Sequence, residues 1–249
     1  MEIIDYYREL QSEANKDAYK VTCHILKMEN KVAHPHASGV FVKVGDFHFL
    51  FTAAHVIDEQ HNDIFIGIEN KTLLKLGGEW TGNIPYDKRE NDRIDTAILK
   101  LDEISTEKVK AKYEFLDISD VGINHNFEIM PKYQSVGFPS SQSKYNKFKN
   151  ETKSKPFLFT TMPAEKDIYE ELKCEDFTNF IVHYDKKKIK DYKTDKLQTG
   201  PDPFGISGSG LWYTPVQLRE KGEKVEKKTC GNNDRMACRK QKILDRNSN

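Results

Sequence analysis

Three residues of this chain have types and surroundings that could together turn an alcohol into a nucleophile. His55 ends the run Thr52-Ala53-Ala54-His55, Asp95 opens Asp95-Thr96-Ala97-Ile98-Leu99, and Ser207 lies within Gly205-Ile206-Ser207-Gly208-Ser209. Asp95 follows His55 by 40 residues and precedes Ser207 by 112. A serine hydroxyl is a poor nucleophile near neutral pH and needs an adjacent base to take its proton. Imidazole suits that work because it titrates near physiological pH. A carboxylate on the second ring nitrogen fixes the tautomer and stabilises the imidazolium. Glycines on both sides of the serine permit a tight turn that can aim backbone N–H groups at a developing oxyanion. Taken singly, each residue has a plain structural explanation: a core-edge histidine, a turn aspartate, a flexible serine–glycine turn. Their joint appearance in one order is what singles them out.

The elements that must position them read as short strands. Val21, Cys23 and Ile25 alternate with polar neighbours, as do Val40, Val42 and Val44 after a turn expected at Ser38-Gly39. Gly45-Asp46 reads as a hairpin connection into the apolar run Phe47–Thr52, which delivers His55 just past its end. Further strands are predicted over Asp63–Ile68, Asp95–Leu101, Tyr133–Gly137, Pro156–Thr161, Asn179–Tyr184 and Gly210–Tyr213. Many short strands separated by Gly, Pro and Asn indicate an all-β barrel or sandwich. Ile4, Tyr7 and Leu10 share one face of a short N-terminal helix, placed within 1–18. No long helical periodicity appears in the interior. The lysine-rich stretches 139–155 and 186–203 read as long surface loops.

Composition narrows the partners. The 249 residues carry 39 Lys+Arg against 39 Asp+Glu, so bulk charge gives no reason to expect nucleic acid or a membrane surface. Basic runs such as Lys186-Lys187-Lys188 read as solvated loop. Acidic residues interrupt the N-terminus, so no secretory signal is expected, and no apolar stretch is long enough to span a bilayer. Cys23, Cys174, Cys230 and Cys238 lack CxxC spacing and a companion histidine pair. We therefore expect reduced thiols, a cytoplasmic location, no metal and no cofactor.

With these boxes in hand, the chain resembles the trypsin-like, chymotrypsin-fold serine peptidases from about Ser38 to Tyr213. Thr52–His55, Asp95–Leu99 and Gly205–Ser209 stand where that family has its histidine, aspartate and serine boxes, and Val136-Gly137-Phe138-Pro139 resembles a turn early in the second barrel of bacterial and viral members. The resemblance implies two six-stranded-type antiparallel β-barrels, 19–115 holding His55 and Asp95 and 116–216 holding Ser207, joined through the polar stretch 102–125. It also implies hydrolysis of a polypeptide substrate through an acyl-enzyme. His55, Asp95 and Ser207 would be catalytic, and the oxyanion hole would be the N–H groups of Gly205 and Ser207. Ile206 replaces the family's usual aspartate, so activation by a newly cut N-terminus is not expected. Pro201, with Asp202 beside it, occupies the position that sets primary-pocket charge in secreted digestive members. An esterase of the α/β-hydrolase type does not fit, because that class orders its residues serine, acid, histidine.

The C-terminal stretch departs from this pattern. Residues 217–249 read as an irregular charged tail, with Arg219-Glu220-Lys221-Gly222-Glu223-Lys224 and no apolar alternation from Lys227 onward. The second barrel is therefore expected to be incomplete, and the alternative function is a catalytically impaired, peptidase-like binding or regulatory module. Met236-Ala237 requires ATG-GCN, which one base later contains the tryptophan codon. With suitable synonymous codons from Thr229, that frame spells Leu-Val-Gly-Ile-Met-Thr-Glu-Trp, a strand of the kind the tail lacks.

Overall fold

A computed structural model describes residues 16–57, 64–68, 72–83, 92, 94–122, 133–146, 151–175, 179–190, 196–213, 235–237 and 240–245. Residues 16–21 are helical; the rest of the expected N-terminal helix lies outside the described residues. The first half contains β1 (Thr22–Glu29), β2 (Val32–Val44), β3 (Phe47–Thr52), β4 (Ile64–Gly67), β5 (Leu73–Lys75), β6 (Gly78–Gly82), β7 (Ala97–Leu101) and β8 (Leu116–Asp117). β1 and β2 are joined at Asn30-Lys31, both with positive φ (51° and 64°), a turn whose twist matches that of the flanking strands. Ser38-Gly39 is not a turn. It lies inside β2, which pairs with β1 along its first part and with β3 from Val40 to Val44. The register shifts between Ile25 and Leu26, leaving His36 as the extra residue of a bulge.

The first sheet runs β5-β4-β1-β2-β3-β7-β6, with β8 added to β2. Its two outer strands, β5 and β6, are separated along the chain only by Leu76 and Gly77. Both edges of the sheet thus belong to one stretch of chain, and the sheet must curl into a barrel. Its interior is filled by alternate residues of successive strands: Cys23, Ile25, Phe41, Leu50, Ile66 and Leu99 are all fully buried. Each of the Ile, Leu and Phe side chains among them contributes about 1.5–3 kcal/mol relative to exposure. The polar stretch 102–125 holds a helix, Glu103–Lys110, capped by Asp102 accepting from Ser105 N at 2.7 Å, with Val109 packed into the same core.

The second half contains β9 (Val121–Gly122), β10 (Tyr133–Gly137), β11 (Ser143–Asn146), β12 (Glu151–Ser154), β13 (Phe157–Thr161), β14 (Asn179–Tyr184), β15 (Ile189–Lys190), β16 (Leu197–Gln198), β17 (Gly210–Tyr213), β18 (Arg235–Ala237) and β19 (Lys240–Asp245). Its main sheet runs β13-β10-β17-β18-β9, and β14 pairs with β19 in a separate parallel pair. The chain after β13 joins β14 through Ala164 N to Ile181 O (2.8 Å) and His183 N to Met162 O (3.1 Å). Aromatic residues dominate here: Tyr133, Phe180 and Tyr213 in one cluster, Phe157, Phe159 and Tyr184 in another. Val40 and Val42 of β2 pack with Val136 of β10 and Trp212 of β17, so one cluster bridges the two halves.

The architecture is mostly β, in two units whose described strands pair antiparallel except at β2–β8, β9–β18 and β14–β19. Three local expectations change. The stretch 139–155 holds the hairpin β11–β12 and 186–203 holds β15–β16, so neither is plain loop. A six-residue helix, Lys166–Glu171, follows β13. The stretch 217–249 is not irregular throughout, because β18 pairs with β17 and β9 while β19 pairs with β14. Neighbouring strand edges supply the hydrogen bonds, so strand formation there follows tertiary context rather than side-chain alternation.

Leu50, wholly buried in the first core, gives a direct measure of that core's contribution. Leu50→Ala should lower unfolding free energy by about 2–5 kcal/mol, read from the urea midpoint at unchanged m-value.

Candidate active site

β3 ends at Thr52, and Ala54–Val56 form a single 3-10 turn that carries His55 out of the barrel wall. Ala54 is fully buried, so the small residues before the histidine let this turn sit against the core. Opposite, Asp95 precedes β7 with φ of 38°, a left-handed conformation that aspartate tolerates better than most residues. Asp92 shapes the approach: its buried carboxylate accepts from Ile94 N (2.9 Å) and Asn83 Nδ2 (2.6 Å).

Asp95 grips its partner at three places. Its carbonyl accepts from Ala54 N (3.1 Å), and Oδ1 accepts from His55 N (3.0 Å). The carboxylate also meets His55 Nδ1, at 2.9 Å from Oδ2 and 3.1 Å from Oδ1. An ionised carboxylate only accepts, so Nδ1 carries the proton and Nε2 presents the lone pair. Asp95 is mostly buried (12% exposed) and His55 half-exposed (44%), as a fixed anchor and an accessible base should be.

Ser207 is brought to the same wall by backbone contacts between the halves. Ser38 N of β2 donates to Ser207 O (2.8 Å), and Ser38 Oγ donates to Gly205 O (2.9 Å). Thr52 Oγ1 donates to Ser38 O (2.8 Å), tying that junction to the strand that ends three residues before His55. Gly208, with φ of 80°, lies so close that a Cβ would stand 2.2 Å from Thr52 Oγ1 and 3.0 Å from Ala53 N. From the other side, Ile206 is buried among Phe157, Phe159 and Tyr184. The residue that replaces the expected aspartate is thus an apolar anchor for the loop. Among the described residues no hydrogen bond joins Ser207 Oγ to His55.

The carbonyls of four consecutive residues in this loop are held. Phe204 O accepts from Ser140 N (2.8 Å), Gly205 O from Ser38 Oγ, Ile206 O from Ser209 N (2.9 Å), and Ser207 O from Ser38 N. A trans peptide sets each N–H opposite the preceding carbonyl. Holding Phe204 O and Ile206 O therefore fixes the directions of the Gly205 and Ser207 N–H groups. Neither N–H finds an acceptor among the described residues. Gly205 has φ of 93°, and a Cβ there would stand 2.8 Å from Phe138 O, so glycine is required on two counts.

Around this centre, Asp202 is ion-paired with Lys186, and Pro201 O accepts from Tyr184 Oη. Among the described residues no group of three or more His, Cys, Asp or Glu is arranged to hold a metal. Ser38, Asp92 and Ser140 were not singled out from sequence as site residues. Asp92 left a weak signal in the turn-forming Asn91-Asp92; the hydroxyl roles of Ser38 and Ser140 left none. His24 stacks on Phe138 with ring centroids 5.0 Å apart, and its Nδ1 meets Ser154 Oγ at 2.7 Å. His36 Nε2 donates to Val56 O at 3.0 Å.

No protein-family model matches the chain, and no curated protein matches it. Among solved structures, the chain is similar to a serine endoprotease from Yersinia pestis, with TM-score 0.42 and 14% identity. That match covers 80% of this chain and 52% of the endoprotease, so the chain spans about half its length. It is also similar to HBP, with TM-score 0.49, 15% identity and 81% of each chain covered. At these scores neither likeness bears on what the chain does.

Burial holds His24 neutral, pushing its pKa down to about 4. The unfolded chain then binds more protons than the folded one between that value and the ordinary pKa near 6.5, so stability rises with pH across this window and is level above it. The contribution lost on acidification is on the order of 3 kcal/mol. Urea midpoints measured from pH 4 to 7 should show this slope, and His24→Gln should flatten it; an equal slope in both proteins would refute the assignment.

Proposed function

We propose that this chain is a hydrolase acting on acyl bonds through an activated serine. More particularly, it is a serine endopeptidase that cleaves polypeptides. The observation that carries the reading is the Asp95–His55 pair: a mostly buried carboxylate fixes both the backbone and the ring of the histidine, leaving Nε2 as the free base. The backbone bonds that tie the Ser207 loop to Ser38 and Thr52 support it.

In this reading a peptide carbonyl lies against the Gly205 and Ser207 N–H groups. Ser207 Oγ attacks its carbon while His55 Nε2 takes the hydroxyl proton, and Asp95 stabilises the imidazolium. The negative oxygen of the tetrahedral intermediate is held by the two N–H donors, each worth on the order of 3 kcal/mol of barrier. His55 then hands its proton to the leaving amine as the C–N bond breaks, giving an acyl-enzyme on Ser207. Water, deprotonated by His55, releases the acid and restores the serine. Every proton in the cycle is accounted for by one imidazole.

A fluorophosphonate probe should label the wild-type protein at Ser207, and Ser207→Ala should abolish the labelling. Absence of labelling in wild type would sink the enzyme reading in favour of the inert binding module. Asp95→Asn keeps the shape but removes the anion that orients His55, and should lower kcat by roughly 10⁴ with little change in KM, measured on a peptide substrate.

A further inference from the structure

Ser38 is fully buried at the seam between the two halves; its N–H and hydroxyl are committed across it, and its carbonyl is held within the first half. Its N–H donates to Ser207 O and its carbonyl accepts from Thr52 Oγ1. Its hydroxyl donates to Gly205 O at 2.9 Å and accepts from Phe138 N at 2.9 Å. The backbone bonds would exist with any residue in β2 at this register. The hydroxyl pair would not, and it connects the two segments of the second half that shape the oxyanion donors: the 138–140 turn, which holds Phe204 O through Ser140 N, and the 205–207 loop itself.

We propose that the Ser38 hydroxyl is a positioning group for the oxyanion donors, holding the Gly205 carbonyl and the Phe138 turn at a fixed separation from the first barrel. The proposal rests on the peptidase reading above. Gly205 is the vulnerable point, because a glycine at φ of 93° has no side chain to restrict rotation of its flanking peptides. A bond to its carbonyl opposes that rotation. The hydroxyl sits close against β10: a Cβ on Gly137 would stand 3.1 Å from Ser38 Oγ. Ser38 touches neither the reacting carbonyl nor Ser207 Oγ in the proposed cycle, so its action runs through the loop.

Ser38→Ala and Ser38→Cys test this, the second keeping a side-chain atom in the hydroxyl's place while replacing it with a larger, weaker S–H donor. Amide hydrogen exchange over 203–209 is measured with hydrolysis of a p-nitrophenyl ester, normalised to sites titrated by the fluorophosphonate. Ser38→Ala should speed exchange in 203–209 at least tenfold, as loss of a fixing bond requires. Its kcat should fall on the order of tenfold to a hundredfold with KM within about twofold, since small misplacements of catalytic donors have such effects. Ser38→Cys should lie between and carries the comparison if Ser38→Ala does not fold. Leu50→Ala is the control for mere loss of stability: an equal fall in its normalised kcat would overturn the proposal, as would unchanged exchange and kcat in the Ser38 variants. If the wild-type protein neither labels nor hydrolyses the ester, the peptidase reading falls. Exchange over 203–209 then decides alone, faster exchange upholding the role of Ser38 in holding the loop and unchanged exchange removing it.

Discussion

A candidate site assembled from two sheets depends on hydrogen bonds that cross between them, because apolar packing attracts without fixing register. Beside the Ser207 loop that crossing is made by Ser38, whose backbone and hydroxyl reach Ser207 O and Gly205 O. The distance between the His55 turn and the Ser207 loop is set by these bonds together with the close approach of Gly208 to Thr52 and Ala53. Apolar packing of Val40 and Val42 against Val136 and Trp212 supplies non-directional attraction over the same seam. The hydrogen bonds supply the register, since a buried donor or acceptor left unpaired by a slip costs about 1–3 kcal/mol.

The two sides of the centre are stiffened by different means. On the first barrel, electrostatics and local strain do it: Asp95 adopts a left-handed backbone and is rewarded by bonds to Ala54 N, His55 N and His55 Nδ1. A residue held at positive φ persists because its surroundings over-determine it, which is common at functional positions. On the second half, aromatic packing does it. Ile206 sits among Phe157, Phe159 and Tyr184, so the loop is pinned by burial on the side away from His55. Between these anchors run peptides whose carbonyls are held in succession, and the Gly205 and Ser207 N–H groups have no acceptor among the described residues. In the proposed function such donors would need no rearrangement at the moment charge develops.

Much of the strand pattern was legible in the sequence. Phe47–Thr52, Tyr133–Gly137, Asn179–Tyr184 and Gly210–Tyr213 have the bounds that alternation and turn residues predicted, because one face of each meets a core. The Ser38-Gly39 turn was misread, because a serine–glycine pair carries a turn signal that β2 overrides: both residues face close neighbours on adjacent strands, where small side chains are demanded by packing. The strands β18 and β19 had no alternation to announce them and arise where open edges at β17 and β14 accept a backbone. The helix at Glu103–Lys110 was too short, and too polar, for a period to stand out.

For the centre itself, the sequence by itself determined which side chains could do the chemistry, because an imidazole, a carboxylate and an alcohol in suitable local boxes are a matter of residue type and neighbours. It also showed glycines at 205 and 208 that permit a tight turn; that positive φ and close approach leave no space for a Cβ there is a finding of the tertiary structure. The aspartate box already pointed to Asp95; that its carboxylate meets the imidazole, while Asp92 is occupied by Ile94 N and Asn83, is added by the tertiary structure. Only it gave Ser38 a hydroxyl role, across 167 positions of chain to Gly205. Long-range hydrogen bonds of this kind depend on where two sheets come to rest against each other, and no local pattern of residues encodes that placement.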